Sequence, residues 1–287
     1  MIGIKVSGIG TFIRQARDQY VIKPLSRNRH IRKAFLSGVG ASAIVLERSD
    51  HKIAVPHSTD QIVRDILRTG DYHRQELLNA ISSLDLRGSI FLDLGANIGT
   101  QTIYAMKTGA FDKAIAIEPD PENFSLLKLN MFLNDFEDRV VLKDIAVSDS
   151  PGAARLWRSP YIGGHSIIDK WSGEAEFVDV RKDSVDTILN ENGISPADVG
   201  MISLDVEGHE PEVIKGMSSL LQAKVPIMIE INPRADADFT NMIGLLKSSY
   251  NRFLRLTGPN LQKFSTPTVP EPVAQLSTDS QMDVLFL

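Results

Sequence analysis

The architecture of this chain can be predicted from one stretch, Phe91-Leu92-Asp93-Leu94-Gly95-Ala96-Asn97-Ile98-Gly99-Thr100. It starts as an apolar run typical of a buried strand, passes into a glycine-containing turn, and leads into a helix. A second apolar run, residues 114–117, ends on the carboxylate of Glu118, which lies 19 residues after Gly99. An α/β fold uses this spacing to place an acid against the ribose hydroxyls of a ligand that contains adenosine.

The glycine turn lacks the spacing of a phosphate-binding loop. Gly95 and Gly99 permit positive φ and a close approach of the backbone, and they belong to the pattern Asp-x-Gly-x-Asn-x-Gly. This pattern is neither Gly-x-Gly-x-x-Gly nor a P-loop that ends in Gly-Lys-Ser/Thr. Asp93 would put a negative charge beside the turn, which repels a diphosphate and suits a cationic ligand such as a sulfonium with an amino-acid tail.

Residues 93–99 and 117–120 resemble the first two motifs of the class I S-adenosylmethionine-dependent methyltransferases. The resemblance implies that S-adenosylmethionine is the cofactor, that Glu118 holds its ribose hydroxyls, and that Pro119 and Asp120 border the adenine. Asp144 would accept a hydrogen bond from the adenine amino group, with a turn acid exposed to water as the alternative. The cofactor-binding residues that the resemblance implies are Asp93, Gly95, Ala96, Asn97, Gly99, Glu118, Pro119, Asp144 and Asp205.

A second polar cluster closes the apolar strand predicted at residues 200–205. It consists of Asp205, Glu207 and His209, and ligands of open α/β sheets bind outside the carboxyl ends of the strands. The run Asp-Val-Glu-Gly-His-Glu resembles the signature of the FkbM family of methyltransferases, which are mostly O-methyltransferases of sugars, polyketides and related small molecules. A capping and salt-bridging cluster at a helix start is the alternative interpretation.

The resemblance to the FkbM family covers roughly residues 68–232. It includes Gly70-Asp71-Tyr72, which is similar to a Gly-x-Tyr segment that precedes the core of that family. The family often has Glu directly after the aromatic residue, whereas this chain has His73. The role of this loop therefore stays open.

Methyl transfer to a hydroxyl requires alignment of the reacting atoms and a general base. The candidates for catalysis are Asp205, Glu207 and His209. We expect Asp205 to lie near the methyl donor, Glu207 to bind substrate or act as the base, and His209 to act as the base or as an orienting group. His165 is a further candidate, on a glycine-containing loop (residues 159–166) expected to be mobile over the site. The alternative, which we favour, is an exposed loop histidine without a catalytic role.

Asp205, Glu230 and Asn232 form a candidate set of metal ligands. They would lie at the ends of adjacent strands, and their oxygen atoms suit Mg²⁺ or Ca²⁺. The arrangement resembles that of catechol-type O-methyltransferases, in which a divalent ion acidifies the acceptor hydroxyl. Here Glu-x-Asn replaces adjacent ligands, so we do not favour a required metal; binding of substrate or backbone by Glu230 is the alternative.

Composition indicates a globular chain of ordinary type. Of its 287 residues, 43% are hydrophobic and 23% are charged, as in globular proteins generally. We expect neither a signal peptide nor a membrane span, because no apolar run approaches the ~18 residues that a span requires. The absence of cysteine excludes disulfides, thiolate metal sites and a cysteine nucleophile, and it fits a cytoplasmic protein.

Charge is unevenly distributed in a chain whose net charge is −5. Residues 1–34 contain eight Lys and Arg residues and a single acid, Asp18. Such a segment can meet nucleic acid or an anionic membrane; we favour a solvated arm or a contact between copies of a homo-oligomer. The chain has Asp205-Val206-Glu207 where base-modifying amino methyltransferases usually carry Asn-Pro-Pro-aromatic or Asp-Pro-Pro-aromatic, which argues against a nucleic-acid substrate.

Strands and helices are predicted to alternate from residue 89 onward, which implies parallel pairing with right-handed crossovers. The predicted strands are 89–94, 113–118, 139–146, 153–158, 175–181, 200–205, 225–231, 252–257 and 282–287. The predicted helices are 11–20, 59–69 with Ser58 or Thr59 as cap, 74–84, 98–109, 121–134, 185–192, 210–222 and 236–249. A hairpin is expected at Ala43–Glu47 and 52–55, outside the main sheet.

The predicted fold is α/β and Rossmann-like, a class I methyltransferase sheet that is mostly parallel with an antiparallel C-terminal strand. An N-terminal helical and hairpin extension (residues 1–57) precedes the S-adenosylmethionine-binding domain (residues 58–287). We expect an O-methyltransferase that acts on a hydroxyl of a sugar or small natural product. An N-methyltransferase on the same core and a non-catalytic cofactor-binding protein are the alternatives.

Overall fold

The computed structural model describes residues 43–56, 58, 60–159, 164–167, 176–233, 236–258, 262–263 and 269–287. Its strands are β1 (Ala43–Glu47), β2 (Lys52–Pro56), β3 (Ile90–Leu94), β4 (Lys113–Ile117), β5 (Val140–Lys143), β6 (Ala146–Ser148), β7 (Gly152–Trp157), β8 (Phe177–Ser184), β9 (Val199–Leu204), β10 (Ile227–Ile231), β11 (Arg252–Arg255), β12 (Thr257–Gly258), β13 (Gln262–Lys263), β14 (Glu271–Pro272) and β15 (Met282–Phe286). Its α-helices are α1 (Gln61–Thr69), α2 (Arg74–Ser82), α3 (Thr100–Lys107), α4 (Pro121–Leu133), α5 (Val185–Glu191), α6 (Glu210–Lys215), α7 (Ser218–Gln222) and α8 (Ala237–Ser249). None of the helices in these ranges is both long enough and apolar enough to cross a bilayer.

The central sheet has eight strands in the order β14-β11-β15-β10-β9-β3-β4-β5. Strands β5, β4, β3, β9 and β10 run parallel, whereas β15 is antiparallel to both β10 and β11. The predicted α/β class, the mostly parallel sheet and its antiparallel ending are thereby confirmed. The chain order reverses at β3, and such a switch point is where open α/β sheets bind ligands.

Helices cover both faces of the sheet. The hairpin and α1 to α4 pack on one face with Phe91 and Met201 of the sheet, while α5 to α8 pack on the other with Leu92 and Ile202. Adjacent residues of a strand point to opposite faces, so strands buried on both sides consist of continuous apolar runs. β3 and β9 are buried at every position, and Asp93 and Ser203 are their only polar side chains.

The hairpin β1–β2 forms a separate two-stranded sheet, as predicted. Two side-chain amides hold the edge of β2. Asn130 of α4 pairs with the backbone N–H and C=O of Ala54, and Asn134, which caps the end of α4, does the same with Lys52. The hairpin thus shares one core with α1 to α4. The domain division after residue 57 stays a prediction, and the helix predicted at residues 11–20 and the basic segment lie outside the described residues.

The prediction of a single strand over residues 139–146 is wrong. β5 ends at Lys143, and after two residues the chain resumes as β6, which pairs in parallel with β8 in a three-stranded sheet, β6-β8-β7. The run Val140 to Ser148 has the composition of a strand almost throughout. Such local preference does not show that the pairing partner changes, because the new partner β8 begins some thirty residues later.

The helix predicted over residues 210–222 is two helices, α6 and α7, that separate at Gly216. A Cβ at Gly216 would lie 2.1 Å from the carbonyl oxygen of Ser148, so the chain passes too close to β6 for another residue. Asp186 accepts hydrogen bonds from the hydroxyl and amide of Ser219 and so caps α7. The cap of α1 is also corrected: it is Asp60, whose carboxylate accepts from the amide of Ile62 at 2.7 Å.

Candidate active site

The turn after β3 is built for close approach of the backbone. Gly95 has a φ of 85°, and a Cβ there would lie 1.8 Å from the carbonyl oxygen of Asp205. The amide of Gly95 donates to Ile117 at 3.0 Å, and the amide of Asp205 donates to Leu94 at the same distance. Because β3, β4 and β9 end level with one another, the residues that follow these strands meet at one edge of the sheet.

Glu118 is the acid that follows β4, and it is fixed in place. Its carboxylate oxygens accept hydrogen bonds from the amides of Asn97 at 2.9 Å and Asp120 at 2.8 Å. Burial raises the pKa of Glu118 to about 8, against the partial opposition of these two hydrogen bonds. The side chain therefore presents a protonatable carboxyl group at the floor of the cleft.

A cleft with two connected lobes opens beyond the carboxyl ends of β3, β4 and β9. The first lobe, about 770 Å³, has residues from β4, β6, β7 and the following loops, among them Glu118, Ile145, Val147, Leu156 and His165. The second lobe, about 970 Å³, lies toward β10 and β15 and includes Asp93, Gln101, Met228, Glu230 and Asp283. The walls common to both include Tyr72, Gly95, Asn97, Asp205 and Glu207.

Asp205 and Glu207 stand where the two lobes join. Glu207 has a φ of 54°, and the turn that holds it is tied by Glu210, whose carboxylate accepts from the amide of Gly208 at 3.0 Å. Asp205 is exposed to the cleft on one side and is enclosed by protein on its other sides. The loss of solvation in this position raises the pKa of Asp205 well above the usual range, and the negative charges of Glu207 and Glu230 raise it further.

The two candidate histidines line the first lobe and not the second. In His209, Nε2 lies 3.0 Å from the hydroxyl of Ser148 and Nδ1 lies 3.3 Å from the carboxylate of Glu212. In His165, Nδ1 accepts from the amide of Ser159 at 3.0 Å. Burial lowers the pKa of both imidazoles, and the ring atoms named here already have partners within the protein.

The predicted cofactor-binding residues are distributed unevenly. Those that line the first lobe are Gly95, Asn97, Glu118, Pro119 and Asp205. Asp93 and Ala96 line the second lobe; Asp93 accepts from the hydroxyl of Thr102, and burial raises its pKa to about 6. Gly99 lies directly before α3 and lines neither lobe, and the exposed Asp144 also lines neither. The roles of all of them stay predictions.

Several residues of the cleft were not predicted as site residues, although the sequence had marked the loop of Tyr72 without assigning it a role. Ile145, Val147 and Leu156 give the first lobe apolar walls, and their only local feature is strand-like composition. Tyr72 lines both lobes, and its amide donates to the hydroxyl of Tyr104 at 3.1 Å. Asp283 belongs to a C-terminal strand that no motif marks.

The candidate metal ligands are only partly brought together. Asp205 and Glu230 line the second lobe, whereas Asn232 is exposed and lies outside it. Glu230 accepts a hydrogen bond from Gln281. In the part of the chain that the structure describes, no group of three His, Asp or Glu side chains is arranged to hold a metal ion, and the question of a divalent cation stays open to experiment.

The first lobe fits an adenosyl ligand. A flat base requires apolar walls, which Ile145 and Leu156 supply, and ribose hydroxyls require an acceptor, which Glu118 supplies. The side-chain oxygen of Asn97 is buried at this lobe and has no hydrogen-bond partner among the described residues. A bound donor would satisfy it, because buried polar atoms in proteins are normally paired.

A family model described as "Methyltransferase FkbM domain" matches residues 93–253, more than half of the chain. The chain belongs to the FkbM methyltransferase family. It is therefore a transferase of methyl groups, with S-adenosylmethionine as its cofactor. The family that the sequence motifs predicted is confirmed.

Two curated relatives are methyltransferases. Hexuronic acid methyltransferase AglP of Haloferax volcanii is 28% identical over 196 residues, which cover 67% of this chain and 77% of AglP. Methyltransferase sdnD of Sordaria araneosa is 28% identical over 155 residues, which cover 44% of this chain and 59% of sdnD. This FkbM protein thus spans about three quarters of the first relative and less than two thirds of the second.

Solved structures of methyltransferases are similar to it at low sequence identity. A methyltransferase FkbM from Methylobacillus flagellatus KT aligns with a TM-score of 0.45 and 16% identity, covering 70% of this chain and 44% of that one. TYW2 of P. horikoshii in complex with MeSAdo aligns with a TM-score of 0.46 and 14% identity, covering 91% of this chain and 83% of that one.

Proposed function

We propose that this FkbM protein transfers the methyl group of S-adenosylmethionine to a hydroxyl oxygen of a sugar or another small natural product. The observation that supports this most directly is the position of Asp205 and Glu207 at the junction of the two lobes. A donor in the first lobe and an acceptor in the second would meet beside these carboxylates. The hexuronic acid named for the relative AglP is in keeping with a sugar acceptor.

The first lobe would hold the cofactor. Glu118 would accept from the ribose hydroxyls, Asn97 would pair with a polar group of the ligand, and Ile145 and Leu156 would enclose the adenine. The bound sulfonium supplies an electrophilic methyl group. The contribution of the protein is alignment, because holding the reacting atoms in line removes much of the entropic barrier.

Asp205 is the base that we propose. Its raised pKa brings a carboxylate closer to the range in which a general base works well near neutral pH. The acceptor oxygen would form its bond to the methyl carbon while the bond between that carbon and sulfur breaks, which would leave S-adenosylhomocysteine, and the acceptor proton would pass to Asp205. Glu207 would bind the acceptor beside it, and His209, held by Ser148 and Glu212, would position the turn.

The test is methyl transfer by wild type and by Asp205→Asn, Glu207→Gln and His209→Gln, with and without Mg²⁺. We expect Asp205→Asn to lower kcat by about 10²–10⁴-fold while the affinity for S-adenosylhomocysteine changes by less than about tenfold. Asp138→Asn, which removes an exposed acid just before β5, is the control. Product NMR distinguishes a methyl ether from an N-methyl group.

Three outcomes would contradict this proposal. Full activity in Asp205→Asn would show that Asp205 is not the base. A methyl group found on nitrogen would favour the alternative, an N-methyltransferase. Cofactor binding without any transfer across an acceptor panel of neutral, amino and acidic sugars and of natural-product alcohols would favour a non-catalytic binding protein.

A further inference from the structure

The loop from Gly70 to His73, whose role the sequence leaves open, brings an aromatic ring to the cleft. Tyr72 belongs to the wall that both lobes share, together with Asp205 and Glu207. Among the residues that the structure describes, it is the one Phe, Tyr or Trp side chain that lines either lobe. A methyl group that moves from a donor in the first lobe to an acceptor in the second would cross the junction where this ring lies.

The position of Tyr72 is fixed by the helix that follows the glycine turn. Its backbone amide donates at 3.1 Å to the hydroxyl of Tyr104 on α3, and the side chain of Tyr104 is buried. The preceding residue, Asp71, forms ion pairs with Arg48 at 3.4 Å and with Arg74 at 3.2 Å. Because α3 begins directly after the glycine turn, the same helix sets where Tyr72 stands relative to that turn.

The side chain of Tyr72 is a neutral aromatic group. Burial raises the pKa of its phenol above the ordinary value, and the negative charge of Asp205 raises it further, so Tyr72 is not a candidate for the base. The imidazole of His73 packs against its ring at a centroid distance of 4.4 Å. A neutral aromatic ring attracts a cation placed over its face, and the attraction is stronger where water is excluded. The reacting group of S-adenosylmethionine is such a cation, a sulfonium.

We propose that the ring of Tyr72 contacts the sulfonium of bound S-adenosylmethionine and favours this cation over the neutral thioether of S-adenosylhomocysteine. This inference rests on the proposed function, which places the donor in the first lobe with its methyl group at the junction. Methyl transfer removes the positive charge from sulfur, so the attraction acts on the donor and is lost in the product. Tyr104, which acts through the backbone of Tyr72, is a positioning residue.

The test measures the affinity of three ligands by calorimetry, without an acceptor. They are S-adenosylmethionine, S-adenosylhomocysteine, and an aza analogue of S-adenosylmethionine in which a protonated amine replaces the sulfonium. In Tyr72→Leu we expect the ratio of the Kd of S-adenosylhomocysteine to that of S-adenosylmethionine to fall by about 5- to 30-fold. Tyr72→Phe keeps the ring and should change this ratio by less than about twofold. The aza analogue should lose affinity together with S-adenosylmethionine, because both are cations.

Two further variants separate a contact with the sulfonium from a general loss of binding. Ile145→Ala alters a wall of the first lobe only, and it should weaken the binding of both S-adenosyl ligands by the same factor. Tyr104→Phe removes the hydroxyl that holds the amide of Tyr72, and it should lower the ratio by about two- to fivefold. In the double variant Tyr72→Leu/Tyr104→Phe the ratio should equal that of Tyr72→Leu, because no ring is left to position. Tyr104→Phe, which removes one oxygen atom, tests the same contact if Tyr72→Leu does not fold.

The outcomes distinguish this contact from the proposed reaction. If the ratio falls as stated and no hydroxyl is methylated, the contact with the sulfonium stands and the proposed reaction fails. The contact is overturned if Tyr72→Leu weakens both S-adenosyl ligands equally or changes neither, whether or not methyl transfer proceeds. It is also overturned if Tyr72→Phe lowers the ratio as much as Tyr72→Leu, since the hydroxyl and not the ring would then be responsible.

Discussion

Among single residues, Glu118 has the environment with the clearest chemical consequence. Its pKa in the folded chain is about 8, against about 4.5 for an ordinary glutamate, so folding favours its protonated form. Between these two values the folded state binds more protons than the unfolded state. The free energy of unfolding of the cofactor-free protein should therefore fall as pH rises from about 4.5 to about 8, with no further loss from this group above that range.

The same residue should couple cofactor binding to proton release. Ribose hydroxyls donate hydrogen bonds and so stabilise the ionised carboxylate, and we expect about one proton to leave per S-adenosylmethionine bound near pH 7. Calorimetry in two buffers with different ionisation enthalpies counts these protons. Glu118→Gln has no proton to lose, and it should bind more weakly with no release. Equal proton release by both proteins would contradict the role assigned to Glu118.

Among the secondary-structure elements, α4 depends on polar side chains as much as on apolar ones. Asn130 is fully buried and makes three hydrogen bonds to backbone groups, two to Ala54 of β2 and one to Ile98 of the glycine turn. The helix therefore joins the hairpin to the turn that shapes the cleft. Backbone groups left unpaired in such a place carry the full cost of their desolvation.

We expect Asn130→Ala to lower the free energy of unfolding by about 3 kcal/mol, since it leaves three buried backbone groups without partners. For a chain of this size that corresponds to a Tm lower by roughly 6–12 °C. Asn190→Ala changes an exposed asparagine on α5 and should shift Tm by less than about 2 °C. Equal shifts in Tm for the two variants, measured by calorimetry, would show that the hydrogen bonds of Asn130 contribute nothing to the free energy of unfolding.

For the molecule as a whole, β15 unites the two helical layers. It lies between β10 and β11, and its side chains alternate between the two cores: Leu285 packs with the hairpin side and Phe286 with the α8 side. Both side chains are fully buried. Because a central strand is common to both layers, loss of its packing should weaken the domain as one unit.

We expect Phe286→Ala to lower the free energy of unfolding by about 3–5 kcal/mol, the usual cost of removing a buried phenylalanine. Unfolding should stay cooperative, with coincident transitions by near-UV and far-UV circular dichroism. Phe177→Ala removes the same side chain from an exposed site on β8 and should cost less than about 1 kcal/mol. Separate transitions for the two layers would refute the uniting role of β15.

Predictions from the sequence succeeded where the determinants are local. The run from Phe91 to Thr100, the alternation of strands and helices, and the hairpin depend on patterns within a few residues, and all are confirmed. The antiparallel ending, which the resemblance to class I methyltransferases implied, is confirmed as well. The predictions failed at Gly216, where the predicted helix 210–222 is interrupted because the chain passes close to β6. They also failed after Lys143, where the predicted strand 139–146 ends and β6 pairs with β8 instead. In both places the cause is a segment distant in the chain.

The residues of the chain are enough to identify the family, through the runs 93–99 and 205–210. They also predict that Gly95, Glu118 and Asp205 meet at one edge of the sheet, because each follows an apolar strand and parallel strands end level with one another. Folding was needed to form the second lobe, since Glu230 and Asp283 come from strands 53 residues apart in sequence and meet only through antiparallel pairing. It was also needed to separate His209 from the second lobe. Side-chain type is local, whereas burial, charge density and the direction of a side chain are properties of the packed sheet.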